Sequence, residues 1–238
     1  MGMGRWHRRE WRNKPMTDRT AARAVGIFFI IASLAGILSG VVQVPILDAD
    51  DVLAEVAANE AGLATGALLE LLMGLAVIGI VVSITPILRR FSERIALGFT
   101  IARTIETVFY GVSAIGSLTL LTLSREAADP ATADTMKAVL LGGREWGIYT
   151  VQMIVFSLGA LLLNWLLFRT KLVPKWLAGW GVAGAVLYLL VGPLVAYGLE
   201  PFSSTQVLLV APLGVQELVF AVWLIVKGFS PVPARSAA

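Results

Sequence analysis

Long apolar runs alternate with short polar segments along the chain, and this pattern predicts membrane-spanning helices. A helix needs about 20 mostly apolar residues to cross roughly 30 Å of hydrocarbon. Six segments meet this requirement, and their approximate bounds are 24–47, 62–88, 95–123, 146–168, 176–199 and 206–226. Backbone groups in lipid must be hydrogen-bonded within their own segment. We therefore expect an all-α, polytopic membrane protein with six transmembrane helices.

The basic residues between the apolar runs predict the orientation. Fifteen of the 19 lysines and arginines lie in four segments that would share one side of the membrane, and three lie in the alternate loops. Cytoplasmic loops carry an excess of lysine and arginine. Both termini are thus predicted to be cytoplasmic, in the plasma (inner) membrane. The net charge of +3 is spread over these loops, so the lipid bilayer is the predicted partner and nucleic acid is not.

The chain divides into three predicted parts. Residues 1–17 form a basic segment that we expect to be disordered, and Met16 offers an alternative start of translation. Residues 18–229 form the six-helix domain, and residues 230–238 form a short cytoplasmic tail. In the longest outer loop, 124–145, Asp129 and Pro130 are typical of the start of a short surface helix, either a connector or a lid.

Composition supports the membrane class and excludes several chemistries. The chain is 57% hydrophobic and 15% charged, against about 45–50% and about 25% for soluble domains. It has no cysteine, and its one histidine is His7. This excludes disulfides, cysteine nucleophiles and a histidine metal site within the membrane. We identify no catalytic residue and expect no metal or cofactor. The composition therefore argues against an enzyme.

Four ionisable residues lie inside the predicted spans: Glu70, Arg103, Glu106 and Glu217. Each costs about 2.5–3.5 kcal/mol at the centre of a helix on an insertion scale. At about 1.5 Å per residue, all four fall in one layer near the middle of the membrane. The sequence therefore predicts an intramembrane charged cluster in which three carboxylates share one arginine.

Polar side chains continue the face of the third span that carries Arg103 and Glu106. Residues three or four apart lie on the same face of a helix. The stripe comprises Tyr110, Ser113 and Ser117. Candidate polar neighbours on other spans are Gln152 and Gln216. Such a stripe is predicted to face the bundle interior or a water-filled cavity, because lipid cannot satisfy it.

Small residues recur at intervals of four on the first span, at Ala32, Gly36 and Gly40. Small residues let two helices approach closely in a membrane. We expect this face to pack against another helix of the chain, or to form a contact in a homo-oligomer or with a partner membrane protein.

Three stretches resemble a known bacterial membrane family. They are DRTAARAVGIFFIIASLAGI (18–37), LLFRTKLVPKWLAGWGVAGAVLYLL (166–190) and VQELVFAVWLIVKGF (215–229), together with an ARTIE stretch at 102–106. The chain resembles, from about residue 18 to 229, the family catalogued as domain of unknown function 4386. The basic segment before Met16 departs from that pattern. The resemblance implies a multi-helix membrane fold and no established activity.

Two functional interpretations remain open at this point. In the first, the charged cluster ties helices together in a structural or accessory membrane protein. In the second, the mid-membrane carboxylates belong to a proton- or cation-coupled permease.

Overall fold

The computed structural model describes residues 18–126 and 129–231. The predicted basic segment 1–17 and residues 232–238 of the predicted tail lie outside the described residues. The helices are α1 (Asp18–Leu47), α2 (Val52–Ala58), α3 (Glu60–Arg89), α4 (Glu93–Glu126), α5 (Pro130–Glu145), α6 (Met153–Thr170), α7 (Lys175–Ala196) and α8 (Ser204–Val226). A π-helical turn, Trp146–Gln152, joins α5 to α6. The described ranges contain no strand, which confirms the all-α prediction.

Within these ranges, six helical stretches are long and apolar enough to cross a membrane. Five are α1, α3, α4, α7 and α8, and the sixth is the continuous stretch 130–170. Large apolar side chains such as Val41, Leu75 and Leu208 point outward, where lipid can cover them. The prediction of a six-span membrane protein is confirmed, and the cytoplasmic placement of the termini stays a prediction.

The outer loop before the fourth span differs from the expectation. Asp129 does cap a helix, because its carboxylate accepts a hydrogen bond from the Thr132 amide at 3.0 Å. Hydrogen bonds from Thr132 also hold the pKa of Asp129 below its usual value. However, α5 is not separate from the fourth span, because it continues through the π-helical turn into α6. The predicted helix after Asp129 is therefore present, but Gly142 and Gly143 lie within it, and it joins the fourth span without a break. The start of the membrane span near residue 146 stays a prediction.

The six spans close into a ring. α1 packs on α3, α3 on α4, α4 on α6, α6 on α7, α7 on α8, and α8 returns to α1. We call the end at which α1 begins and α8 ends the terminal end, and the opposite one the far end. At the terminal end, the Arg19 guanidinium donates to the carbonyls of Val226 (2.8 Å) and Lys227 (2.6 Å). These bonds satisfy carbonyls that the end of α8 leaves without helical partners.

The terminal half of the ring contains the largest apolar core, which joins all six spans. Its seam between α1 and α8 is close. A Cβ atom on Gly26 would lie 2.5 Å from the carbonyl oxygen of Ala221, so only glycine fits there. One turn further, the rings of Phe29 and Phe220 meet edge to face, with centroids 5.6 Å apart. The charged residues in the middle of the bundle lie against this core.

Candidate functional site

Arg103, Glu106 and Glu217 form one buried ion-pair group, which we call the Arg103 cluster. Nη1 of Arg103 donates to Oε2 of Glu106 at 3.0 Å, and Nη2 donates to Oε1 of Glu217 at 3.2 Å. The first pair lies within α4, and the second joins α4 to α8. The side chains of Arg103 and Glu106 are 2% and 1% exposed, and that of Glu217 is 14% exposed. The structure thus brings together three of the four charged residues that were predicted to form one cluster.

Aromatic rings surround the guanidinium of Arg103. Its Cζ atom lies 4.8 Å from the ring centroid of Phe156 on α6, 5.7 Å from that of Phe99 on α4 and 5.9 Å from that of Phe29 on α1. Cation–π contacts of this kind are stronger when they are desolvated. Arg103 therefore contacts three other spans besides its own: α1, α6 and α8.

Tyr110 and Gln152 extend the cluster toward the far end. The Tyr110 hydroxyl donates to Oε1 of Glu106 at 2.9 Å, and Nε2 of Gln152 donates to that hydroxyl oxygen at 2.9 Å. Gln152 is the last residue of the π-helical turn. A π-helical turn often marks a functional site, since it changes the direction in which side chains point. The chain of hydrogen bonds thus connects α6 to α8 through α4.

Glu70 lies apart from Arg103 and has an arginine of its own. Nη2 of Arg144, on α5, donates to Oε1 of Glu70 at 2.6 Å, and Ser113 of α4 donates to the same oxygen at 3.1 Å. We call Glu70 and Arg144 the Glu70 pair. The expectation that three carboxylates share one arginine is corrected: there are two guanidinium groups. The error came from the assignment of Arg144 to a loop, whereas α5 is continuous with the span.

Each residue of the polar stripe on α4 forms a hydrogen bond with another side chain. Tyr110 bonds Glu106, Ser113 bonds Glu70, and Ser117 donates to Oε1 of Gln43 on α1 at 2.6 Å. Sequence reasoning missed Gln43, whose Nε2 donates to Ser39 at 2.7 Å. A glutamine in the middle of an apolar run, four residues after a serine, is the signal that could have revealed it.

The two candidate glutamines have different roles. Gln152 joins the cluster through Tyr110. Gln216 instead donates to Oδ1 of Asn164 at 3.2 Å and to the carbonyl of Leu177 at 3.3 Å. It therefore links α8 to α6 and α7, and within the described residues it makes no hydrogen bond with the cluster. Its neighbour in sequence, Glu217, lies on another face of α8.

A cavity of about 430 Å³ reaches the Arg103 cluster between α1, α3 and α8. Arg103, Glu106 and Glu217 line its polar end, together with the rings of Tyr110 and Tyr188. The part of the chain that the structure describes holds no group of three or more His, Cys, Asp and Glu side chains arranged to bind a metal ion. The site is therefore one of carboxylates, guanidinium groups and aromatic rings, at the end of an apolar cavity.

Comparison with known proteins gives a family for the chain. No curated protein and no solved structure matches it. A family model matches residues 24–228, which include most of α1 and all of the other five spans. The resemblance seen in the sequence is confirmed: the chain belongs to the family described as Domain of unknown function (DUF4386).

Proposed function

We propose that the protein is a structural or accessory membrane protein in which the Arg103 cluster ties the helices together. The observation that carries this proposal is the set of contacts made by one side chain. Arg103 bonds Glu106 on its own helix and Glu217 on α8, and it lies against Phe29 of α1 and Phe156 of α6. One buried guanidinium thus touches four of the six spans.

The cost of burying charge supports this proposal. A charged residue at the centre of a span costs about 2.5–3.5 kcal/mol on an insertion scale. The cost is reduced when opposite charges are paired and hydrogen-bonded. The arrangement of α4 and α8 brings Glu217 to Arg103, and a shift of register that separated them would leave a charge unpaired. The cluster therefore selects one arrangement of the bundle.

Thermal or denaturant unfolding in detergent tests the proposal. Glu106→Gln and Glu217→Gln keep the side-chain shape and remove one charge each. We expect each to lower the free energy of unfolding by about 1–3 kcal/mol, because Arg103 loses a charged acceptor. The matched control is Glu93→Gln, whose carboxylate is 73% exposed and pairs with Arg89 at 3.7 Å. Its expected loss is about 0–1 kcal/mol.

Stability equal to or above that of the natural chain in both cluster variants would contradict a structural tie. Charges that reduce stability are retained where they serve an activity. That outcome would favour the second candidate function, a proton- or cation-coupled permease.

The second candidate is a proton- or cation-coupled permease. Glu217 favours it, because this carboxylate is the most exposed member of the cluster and lines the cavity. Across the Arg103 cluster and the Glu70 pair, three carboxylates face two guanidinium groups, which leaves one acid to bind a proton or a cation. In liposomes that enclose a pH-sensitive dye, such a permease would move protons, and Glu217→Gln would abolish the flux. Equal flux with and without the substitution would argue against it.

A further inference from the structure

The seam between α1 and α8 is closed at the terminal end and open toward the far end. Gly26 of α1 lies against the backbone of Ala221. Further along α1, a Cβ atom on Gly36 would meet only the Met73 sulfur of α3, and one on Gly40 would have no atom within 4 Å. On α8, a Cβ atom on Gly214 would likewise have no atom within 4 Å. The small-residue face of α1 was expected to pack against another helix, and Gly36 does lie close to Met73 of α3, but neither Gly36 nor Gly40 is close to α8.

The cavity that reaches the Arg103 cluster occupies this opening. Small and apolar residues form its walls, including Ala32 and Gly36 on α1 and Ala211 and Gly214 on α8. Its volume of about 430 Å³ lies within the range of about 300–1,000 Å³ that is usual for pockets that bind small molecules. The cavity is therefore large enough for a ligand with a narrow hydrocarbon body.

The mouth of the cavity faces lipid. Ile37 of α1 and Val215 of α8 both line it, and these side chains are 58% and 49% exposed at the middle of their spans. At this depth, an exposed side chain contacts hydrocarbon instead of water. A ligand would enter sideways from the bilayer, so it must itself be soluble in lipid.

The polar end of the cavity is selective for charge. Arg103 is already bonded to two carboxylates, so the three charged groups carry a net charge of −1 when both acids are ionised. Within the described residues Arg103 is the sole hydrogen-bond partner of Glu217, through Oε1, which leaves Oε2 for a ligand. The rings of Tyr188 and Phe156, with centroids 4.8 Å apart, stand beside it. Carboxylate and aromatic faces together favour a cation.

We propose that the cavity between α1 and α8 binds a lipophilic cation, with its charged head at Glu217 and its hydrocarbon body along Gly36 and Gly214. An amine that carries an alkyl chain, or a quaternary ammonium with one, has this chemistry. The body replaces lipid in the opening, and the head supplies the positive charge that the cluster lacks.

Binding of tritiated decyltrimethylammonium to the protein in phosphatidylcholine nanodiscs tests the proposal, with empty nanodiscs as background. Decanesulfonate and decanol are the competitors, because they share the chain and differ in charge. We expect unlabelled decyltrimethylammonium to compete at least about tenfold more strongly than either. Equal competition by decanol would overturn the proposal, since the cavity would then hold only an apolar chain.

Two glycines provide matched variants that leave the cluster intact. Gly214→Leu fills the cavity, and Gly111→Leu adds the same side chain to open space on α4, outside the cavity. We expect the first to lower affinity at least about tenfold and the second to leave it unchanged. We expect Glu217→Gln to lower the affinity for decyltrimethylammonium by a similar factor. Full binding by Gly214→Leu would show that the ligand lies elsewhere and would refute the site.

A second copy of the chain is the competing occupant. Because the chain has no cysteine, Gly214→Cys introduces a single thiol at the opening. We expect no cross-linking between copies by a short bis-maleimide in nanodiscs that hold two copies. Efficient cross-linking that decyltrimethylammonium fails to reduce would mean that another protomer covers the cavity, and would overturn the proposal.

Discussion

The Arg103 cluster and the Glu70 pair are both ion pairs within the bundle, but they differ in how deeply the arginine is buried and in how many spans it contacts. Arg103 is 2% exposed and contacts four spans, whereas Arg144 is 13% exposed and joins α5 to α3. Within the described residues, Nε of Arg103 and Nε of Arg144 both lack a hydrogen-bond partner, and in the Glu70 pair so does Oε2 of Glu70. The effect of breaking an ion pair therefore depends on what stays buried afterwards.

The largest effect is expected from Arg103→Met. It leaves Glu106 and Glu217 buried near each other without a cation. Loss of one partner from a buried ion pair costs about 3–5 kcal/mol. Denaturant unfolding in detergent should show this loss, together with reduced expression. A triple variant, Arg103→Met with Glu106→Gln and Glu217→Gln, should recover most of it, because no unpaired charge remains. If the triple variant is as unstable as the single one, charge is not the cause.

A smaller effect is expected from Glu70→Gln. Arg144 keeps part of its solvent access, so its guanidinium can be rehydrated toward the far end. We expect a loss of about 1–3 kcal/mol in the same assay. In a double-mutant cycle with Arg144→Gln, the second substitution should add little to the first, because both remove one interaction. Additive losses would show that the 2.6 Å contact contributes nothing by itself.

The smallest effect is expected from Asp129→Ala, which removes the N-cap of α5, the helix that carries Arg144. Hydrogen exchange should rise in the first turn of α5 and stay unchanged in α8. The pKa of Asp129 is lower in the folded chain than in the unfolded chain. The stability that its carboxylate contributes is therefore fully present above the unfolded-state pKa, and it is lost as the pH falls through the folded-state pKa. Acidification of the natural chain should therefore reproduce the local change. Equal exchange in the variant and the natural chain would show that the cap does not hold α5.

Sequence patterns were sufficient for most of the fold. Run length alone placed the spans, because a bilayer sets the length of a helix. The depth of Arg103, Glu106 and Glu217 followed from the same count, and their contact required only that α4 and α8 lie near each other. The pairing of Arg103 with these carboxylates could be predicted, because a charged side chain inside a membrane protein usually pairs with an opposite charge.

The Glu70 pair was missed for a local reason. Arg144 was placed in the predicted outer loop 124–145, because the apolar run of the fourth span begins at Trp146. In the structure Arg144 lies in α5, which contains Gly142 and Gly143 and joins α6 through the π-helical turn. Individual glycines weaken a helix by only about 1 kcal/mol, and tertiary contacts override that cost.

The cavity could not be predicted, because its cause lies in the angle between two helices that are far apart in sequence. Gly26 and Gly36 look alike in the chain, yet one touches α8 and the other does not. Gly26 lies where the two helices meet, and Gly36 lies where they have diverged. Only the three-dimensional arrangement tells them apart.

The position of Glu217 in the last span has a consequence for biosynthesis. A ribosome that adds about 5–20 residues per second needs roughly 6–23 s to make the 114 residues between Arg103 and Glu217. During that time α4, the least apolar of the six spans, must enter the bilayer without its interhelical partner. Glu106, three residues from Arg103, is already present and can neutralise it within the same helix. Each nascent chain thus carries its own temporary counterion until α8 arrives and closes the ring.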